Sequence, residues 1–260
     1  MSDDFDTTRL RCRQVTVSVP GRELVRDLTV EFRPGTVIAV LGRNGAGKSS
    51  LMHVLAGLRP PAAGEVSLHG CPLAQWARRE FALHVGLLTQ ASEDPFPGTV
   101  LETVLVGRHP HIDFWQWEGD EDRDVARRCL RFMDLEGFEA RDIGTLSGGE
   151  RRRLAVATVL AQDPQTLLLD EPVQQLDPQH ELEVLRLIRA LADAGRTVVL
   201  SLHDAGMAAR FADEALLLFG DGRWRHGASA DVLNEETIAS LYGIPVRELR
   251  WDAGRTFVPA

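Results

Sequence analysis

The stretch Gly42-Arg43-Asn44-Gly45-Ala46-Gly47-Lys48-Ser49 restricts the fold of this 260-residue chain more than any other. It follows the unbroken apolar run Val37-Ile38-Ala39-Val40-Leu41, which predicts a buried strand, and leads into Ser50 to Leu58, which predicts a helix. In that setting a G-x-x-x-x-G-K-[ST] match is a phosphate cradle. Glycines let successive backbone N–H groups turn inward onto a polyanion, and the helix N-terminus adds unpaired donors and the positive end of its dipole. Lys48 is placed to reach the β- and γ-phosphates, and Ser49 to offer its hydroxyl to Mg²⁺. The candidate nucleotide-binding residues are therefore Gly42, Arg43, Asn44, Gly45, Ala46, Gly47, Lys48, Ser49 and Ser50. A chance glycine-rich turn beside a lysine is the bland alternative, and the flanking strand and helix weigh against it.

Composition narrows the setting. A formal charge of -9 argues against a general nucleic-acid binder, which needs a basic face for phosphate contacts. The three cysteines, Cys12, Cys71 and Cys129, are widely spaced and form no C-x-x-C, so they read as small buried hydrophobes in a reducing compartment. Met1-Ser2-Asp3-Asp4-Phe5-Asp6 is acidic and lacks the apolar core of a secretory signal. No apolar run approaches the roughly 18 residues of a membrane helix, so work at a membrane would need another chain to do the crossing.

Around the phosphate loop, Val15–Val19 and Leu28–Phe32 alternate apolar and polar side chains and predict half-buried antiparallel strands, with turns at Pro20-Gly21 and Pro34-Gly35. Short strands are predicted at Gly64–Leu68 and His84–Leu88, the latter running into Gln90. From Ala91 to about Ala161 the chain reads as a mostly helical insert. Pro95 and Pro97 break it, Thr99 to Val106 looks helical, and Asp120 to Leu135 carries Val125, Cys129, Phe132 and Met133 near helical spacing. The α/β core then resumes with strands at Thr166–Leu169, Thr197–Leu202 and Ala215–Phe219. Helices follow at Pro178–Ala194, with Asp177 placed as its cap, and at Ala205–Ala212. The tail predicts a helix at Asn234–Tyr242 and a hairpin around Asp252-Ala253-Gly254.

Two further clusters carry chemistry. Leu167-Leu168-Leu169-Asp170-Glu171 is a buried strand ending in two carboxylates: Asp170 suits Mg²⁺ held through its water shell, and Glu171 suits a general base on an attacking water. Leu146-Ser147-Gly148-Gly149-Glu150 contains a capping box between Ser147 and Glu150, yet a cap does not require two glycines in the first turn, where they weaken a helix. They would admit a phosphate close to the helix N-terminus, which makes this a second anion site. One chain has little use for two γ-phosphate sites, so a head-to-tail dimer is expected, this turn closing over the nucleotide of the other subunit. Arg151-Arg152-Arg153 reads as a solvated helix face. His109 and His111 fit no common zinc pattern and, with Trp115 and Trp117, are taken as surface or partner-contact residues.

The ordered set of phosphate loop, Gln90, Leu146–Glu150, Leu167–Glu171 with Pro172, the Leu176-Asp177 turn and His203 resembles the ATP-binding subunit of ABC transporters over nearly the whole chain. The LSGGE element is specific to that family among phosphate-loop proteins. The resemblance implies a phosphate-loop, RecA-like α/β core with an antiparallel β subdomain and an inserted helical subdomain. It makes residues 1–260 a single ABC ATPase domain: 1–90 and 162–220 for the core and β subdomain, 91–161 for the helical subdomain, 221–260 for a C-terminal extension. It implies ATP and Mg²⁺ as ligands, the ion held by Ser49, Gln90 and Asp170. Catalytic roles fall to Glu171, to His203 at the γ-phosphate, and to Gln90 as sensor of the membrane partner. Ser147, Gly148 and Gly149 would contact the opposite ATP, and Asp177 would link the two sites. Val19 stands where many members place an aromatic side chain against adenine, which weakens the expected preference for ATP over GTP.

The absence of fused membrane helices resembles the bacterial importers. Leu105–His111 and the tail Ile238–Gly243 are similar to the subfamily that imports vitamin B12, ferric siderophores and haem, with a leaning towards cobalamin. The resemblance implies two ATPase copies, a polytopic permease in two copies docking on residues around 90–117, an indirect periplasmic or extracellular binding protein, and a place on the cytoplasmic face of the inner membrane. The rival class is a soluble ABC ATPase acting on nucleic acid or ribosomes. Such proteins usually carry a coiled-coil insertion or tandem ATPase units, which this sequence lacks. A regulatory module without turnover is disfavoured by Glu171 and His203.

Overall fold

The computed structural model describes residues 9–90, 98–113, 115–252 and 254–260. Strands β1 (Leu10–Val19) and β2 (Arg22–Phe32) pair antiparallel across the Pro20-Gly21 turn and are longer than predicted. Their register shifts between Cys12 and Val15 and again between Val15 and Val17, which interrupts the alternation that would have revealed their first halves. After β3 (Val37–Leu41) and α1 (Lys48–Leu55), β4 (Ala63–Leu68) and β5 (Cys71–Pro72) complete a four-stranded antiparallel sheet in the order β2-β1-β4-β5. Helix α2 (Arg78–His84) follows, so His84 ends a helix rather than opening the next strand, β6 (Val85–Leu88). No side chain of α2 is fully buried, so it leaves no apolar period in the sequence.

The helical insert consists of α3 (Val100–Val106), α4 (Asp120–Phe132) and α5 (Gly148–Ala161). The face predicted for α4 is rotated. Ala126, Cys129, Leu130 and Met133 are buried at i, i+3, i+4 and i+7, whereas Phe132, one residue off that stripe, is 65% exposed. The expected opening of the insert with Pro95 and Pro97, the acidic start Met1–Asp6, and Ala253 of the tail hairpin lie outside the described residues.

The core resumes with β7 (Thr166–Leu169), α6 (Pro178–Asp193), β8 (Thr197–Ser201), α7 (Ala205–Phe211), β9 (Glu214–Leu218) and β10 (Trp224–Ala228). Six strands form one sheet in the order β10-β9-β3-β8-β7-β6, parallel except for β10. The continuous apolar runs are explained by burial on both faces. Along β3, Val37, Ala39 and Leu41 join the core shared with the helical insert, while Ile38 and Val40 join the core beneath the antiparallel sheet. Leu167 and Leu169 divide from Leu168 in the same way, as do Leu217 from Leu216 and Leu218. Because β3, β8, β7 and β6 are adjacent and parallel, the loops leaving their carboxyl ends lie side by side, where open α/β sheets bind ligands.

The tail forms α8 (Ser229–Val232), α9 (Glu235–Tyr242) and the hairpin β11 (Val246–Trp251) with β12 (Gly254–Pro259). β12 packs on α7 so closely that a Cβ on Gly206 would stand 2.4 Å from Thr256 Oγ1. Cys12 and Cys129 are buried, which pushes their thiols up to about 12 and about 11, but Cys71 is only half-buried, unlike the reading of all three as core residues. No helix among the described residues is long and apolar enough to cross a membrane.

Candidate active site

Four adjacent strand ends deliver the chemistry: the phosphate loop after β3, Gln90 beyond β6, Asp170-Glu171 after β7 and His203 beyond β8. They surround a cleft of about 410 Å³ lined by Asn44, Gly45, Gly47, Lys48, Ser49, Ser50, Gln90, Glu171 and His203, with Val19, Arg22, Leu24 and Gln174 on its walls. Gly42, Arg43 and Ala46 belong to the loop but do not line the cleft. Gly42 serves packing, since a Cβ there would lie 2.6 Å from the Leu218 carbonyl oxygen. Gly47 is doubly constrained: its φ is +107° and a Cβ would meet Leu24 Cβ at 2.9 Å.

Lys48 is 6% exposed and its Nζ donates to the Gly42 carbonyl at 2.9 Å. Burial draws its pKa below the usual lysine value, against the opposing pull of the Glu171 and Asp170 charges. A buried ammonium beside glycines in the left-handed region at the start of α1 is a cradle suited to a phosphate chain. Among the described residues no three His, Cys, Asp or Glu side chains gather closely enough to hold a metal ion. Asp170 and Ser49 fit Mg²⁺ only when phosphate and water oxygens supply the other ligands, which is how this ion is usually bound.

Asp170 is 1% exposed and its Oδ1 accepts the hydroxyl hydrogen of Ser201 at 2.6 Å. The same hydroxyl oxygen accepts the Glu171 N–H at 2.8 Å. Glu171 has φ +51°, a left-handed conformation that a glutamate rarely adopts without support. Its carboxylate lies 2.6 Å from His203 Nε2 and accepts from Gln90 Nε2 at 3.0 Å. The structure thus brings together the expected base and both residues expected to act beside it.

The other expected contacts stand apart from this cleft. Ser147 caps α5: its Oγ accepts the Glu150 N–H at 3.2 Å while its own N–H donates to Glu150 Oε2 at 2.6 Å. Ser147 and Gly148 are exposed, and neither they, Gly149 nor Asp177 line the cleft. Asp177 Oδ1 caps α6 by accepting the N–H groups of Gln179 and His180 at 3.0 and 3.1 Å. The two turns are packed together, because Cβ atoms on Gly148 and Gly149 would lie 2.9 Å from Gln175 Oε1 and 3.3 Å from the Gln175 carbonyl oxygen. The paired glycines therefore have a use within the chain as well as the one expected towards a phosphate.

The expected solvated arginine face holds at Arg151, which is exposed, and is overturned at Arg152. Arg152 is 7% exposed and donates to the main-chain carbonyls of Thr89, Asp170 and Glu171. Arg151 donates to Leu146 and Gly144, and Arg153 to Met133 and Asp134. Main-chain carbonyls of Thr89, Asp170 and Glu171, invisible to helical periodicity, turn Arg152 inward, while Arg153 is half-buried and Arg151 stays exposed. Trp115 and Trp117 are each 89% exposed, and His111 Nε2 lies 2.8 Å from the Gln162 carbonyl oxygen, a packing contact. Sequence reading missed Ser201, Gln174, Arg22 and Arg152 as parts of this region. Only Ser201, a polar residue closing an apolar strand, left a signal.

Strand ends, cradle and carboxylates define a phosphate-loop ATPase with the Glu171 carboxylate in the cleft. The ABC transporter family model matches residues 25–174, and the chain belongs to that family as an ATP-binding, ATP-hydrolysing subunit. Its relatives include the hemin import ATP-binding protein HmuV of Streptomyces coelicolor, 40% identical over 234 residues, 88% of this chain and 81% of that protein. Among solved structures, an inward-facing metal-chelate type ABC transporter matches 96% of this chain and 97% of its own, with TM-score 0.84 and 27% identity. The dimeric ATP-binding cassette MJ0796, in a post-hydrolysis state bound to ADP and Pi, matches 85% of this chain and 98% of its own, with TM-score 0.75 and 26% identity.

Proposed function

We propose that this chain powers import of haem or a related metal chelate, as one of two ATPase subunits beneath a separate polytopic permease on the cytoplasmic face of the cell membrane. The observation that carries the reading is the division of the site. The cleft holds Lys48, Glu171, Gln90 and His203, while Asp177 and the Ser147–Gly149 turn, exposed at Ser147 and Gly148, lie outside it. A second copy placed head to tail would supply the missing wall, in keeping with the dimeric state of the MJ0796 cassette. Only the triphosphate reaches both halves, so hydrolysis and opening become one event.

Within each half, Lys48 and the loop N–H groups bind and orient the phosphates. Glu171, held by Gln90 and His203, takes the proton of the attacking water. Ser49, Asp170 and Gln90 would hold Mg²⁺, which would neutralise charge on the phosphates. The permease would dock on residues around 90–117, of which 91–97 and Phe114 lie outside the described residues, and a binding protein outside the cell would deliver cargo to it. Haem takes precedence over the cobalamin expected from Gly107–His111, because the relative quoted above is named for hemin import. The charge of -9 speaks against nucleic acid or ribosomes as the partner.

The test is a tagged Glu171→Gln chain. It should hold ATP without turnover, accumulate as a dimer, and co-purify a polytopic membrane protein from a detergent extract; reconstituted with that protein, the unsubstituted chain should accumulate haem in vesicles. Retained turnover would show that Glu171 is not the base, and co-purification of ribosomes or DNA in place of a membrane protein would overturn the transport reading.

A further inference from the structure

The helix that starts at the signature turn is fastened to the catalytic strand by one buried cation. Arg152 Nε donates to the Glu171 carbonyl at 3.1 Å, Nη2 to the Glu171 carbonyl at 2.7 Å and to the Asp170 carbonyl, and Nη1 to the Thr89 carbonyl at 2.8 Å. All of these acceptors are main chain, so the guanidinium ties three backbone segments: α5, the end of β7, and the residue preceding Gln90. A planar fork of fixed donors reaches several carbonyls at once, which a single ammonium does not. Burial at 7% exposure makes the bonds to Asp170 and Glu171 the costly ones to lose, because those bonds are buried whereas the one to Thr89 is partly exposed.

The segments it ties are those that place the reacting groups. Glu171 sits at φ +51°, a sparsely populated conformation that needs support on both sides of the residue. Ser201 supplies it on the N–H and Arg152 on the carbonyl. Gln90, adjacent to Thr89, donates to the Glu171 carboxylate. Ser147, at the head of the helix that carries Arg152, is exposed towards the proposed partner nucleotide.

We infer that Arg152 is a positioning residue for hydrolysis: it transmits the placement of the signature turn to Gln90 and Glu171 of its own subunit. This rests on the ATPase dimer proposed above. A displacement of α5 by the partner's nucleotide moves the three carbonyls through the same guanidinium, so the base reaches its working position only when the turn is engaged.

The experiment compares Arg152→Gln and Arg152→Lys with the unsubstituted full chain, reading Tm, KM for ATP and kcat at saturating ATP. Misplacing the base without touching the phosphates should lower kcat roughly 10- to 100-fold while KM stays within about threefold. Arg152→Lys should recover most of the Tm but not kcat, since it restores the charge without the fork. If Arg152→Gln does not fold, Arg152→Lys carries the same test. A kcat within about twofold of the parent in either folded variant, or a fall in kcat matched by a rise in KM, would overturn the inference. Dependence of the parent's turnover on protein concentration is measured separately: its absence would refute the dimer, and unchanged kcat in the variants of a working dimer would refute only the role of Arg152.

Discussion

Ser201→Ala is a small change with a large expected effect. The side chain is fully buried, donates to Asp170 Oδ1 at 2.6 Å and accepts from the Glu171 N–H at 2.8 Å. Alanine leaves a buried carboxylate without a charge-assisted bond and a buried N–H without an acceptor. Each loss costs about 1.5 kcal/mol or more, so the total is about 3 kcal/mol. In a chain of this size that lowers Tm by about 6–12 °C, at about 2–4 °C per kcal/mol. The methyl group left behind fills most of the space, so cavity formation adds little. Calorimetry and urea titration of the full chain would measure the loss, with an unchanged m-value showing that the denatured state is not the cause. Steady-state turnover of the same preparation should fall about tenfold, because the N–H side of the left-handed Glu171 loses its support. A Tm within about 2 °C of the parent would refute the reasoning, since the hydroxyl then holds neither partner firmly.

Gly47→Ala should abolish ATP binding or prevent folding, because φ +107° strains any side chain there and Leu24 occupies the space; nucleotide affinity by fluorescence titration equal to the parent would contradict it. The acid limb of stability should carry the two capping boxes of the helical insert. The Thr99 backbone N–H, then its hydroxyl, hold Glu102 below the usual glutamate pKa, and the Ser147 backbone N–H does the same for Glu150. Depressed folded values mean that this stabilisation is fully present above the ordinary glutamate range and is lost as pH falls through the folded values. Thermal unfolding followed from pH 7 downward should therefore fall less steeply in the Glu102→Gln, Glu150→Gln double variant than in the parent; superimposable acid limbs would show that these boxes carry no pH dependence.

What the sequence disclosed depended on how local the cause was. The phosphate loop was fully legible because its glycines, lysine and flanking strand and helix are consecutive. Thr99, Asp177 and Asn234 were equally readable as helix starts, since a cap bonds to N–H groups two or three residues on. The four-residue strand β7 was readable because burial on both faces leaves it three consecutive leucines after Thr166. Elements whose stability comes from elsewhere were not. α2 buries no side chain completely, β5 is two residues long, and β10 is held by antiparallel pairing to β9, with a half-exposed pattern that resembles a loop.

The site shows the same division in sharper form. Gln90, Glu171 and His203 lie 81 and 32 residues apart in pairs yet meet at one carboxylate, which no spacing rule foretells; a family resemblance named them and the parallel order β3-β8-β7-β6 explains why they meet. Arg151, Arg152 and Arg153 mark the limit. Charge and position on a helix are the same for a solvated run as for a buried one, and an arginine turns inward wherever unpaired carbonyls are close enough to offset its desolvation. Those carbonyls belong to Thr89, Asp170, Glu171, Leu146, Gly144, Met133 and Asp134, scattered over the insert and the sheet. Of the three consecutive arginines only Arg152 therefore joins the helical insert to the six-stranded sheet, while Arg151 and Arg153 bond within the insert, and each role is fixed by the acceptors it finds and not by the charge they share.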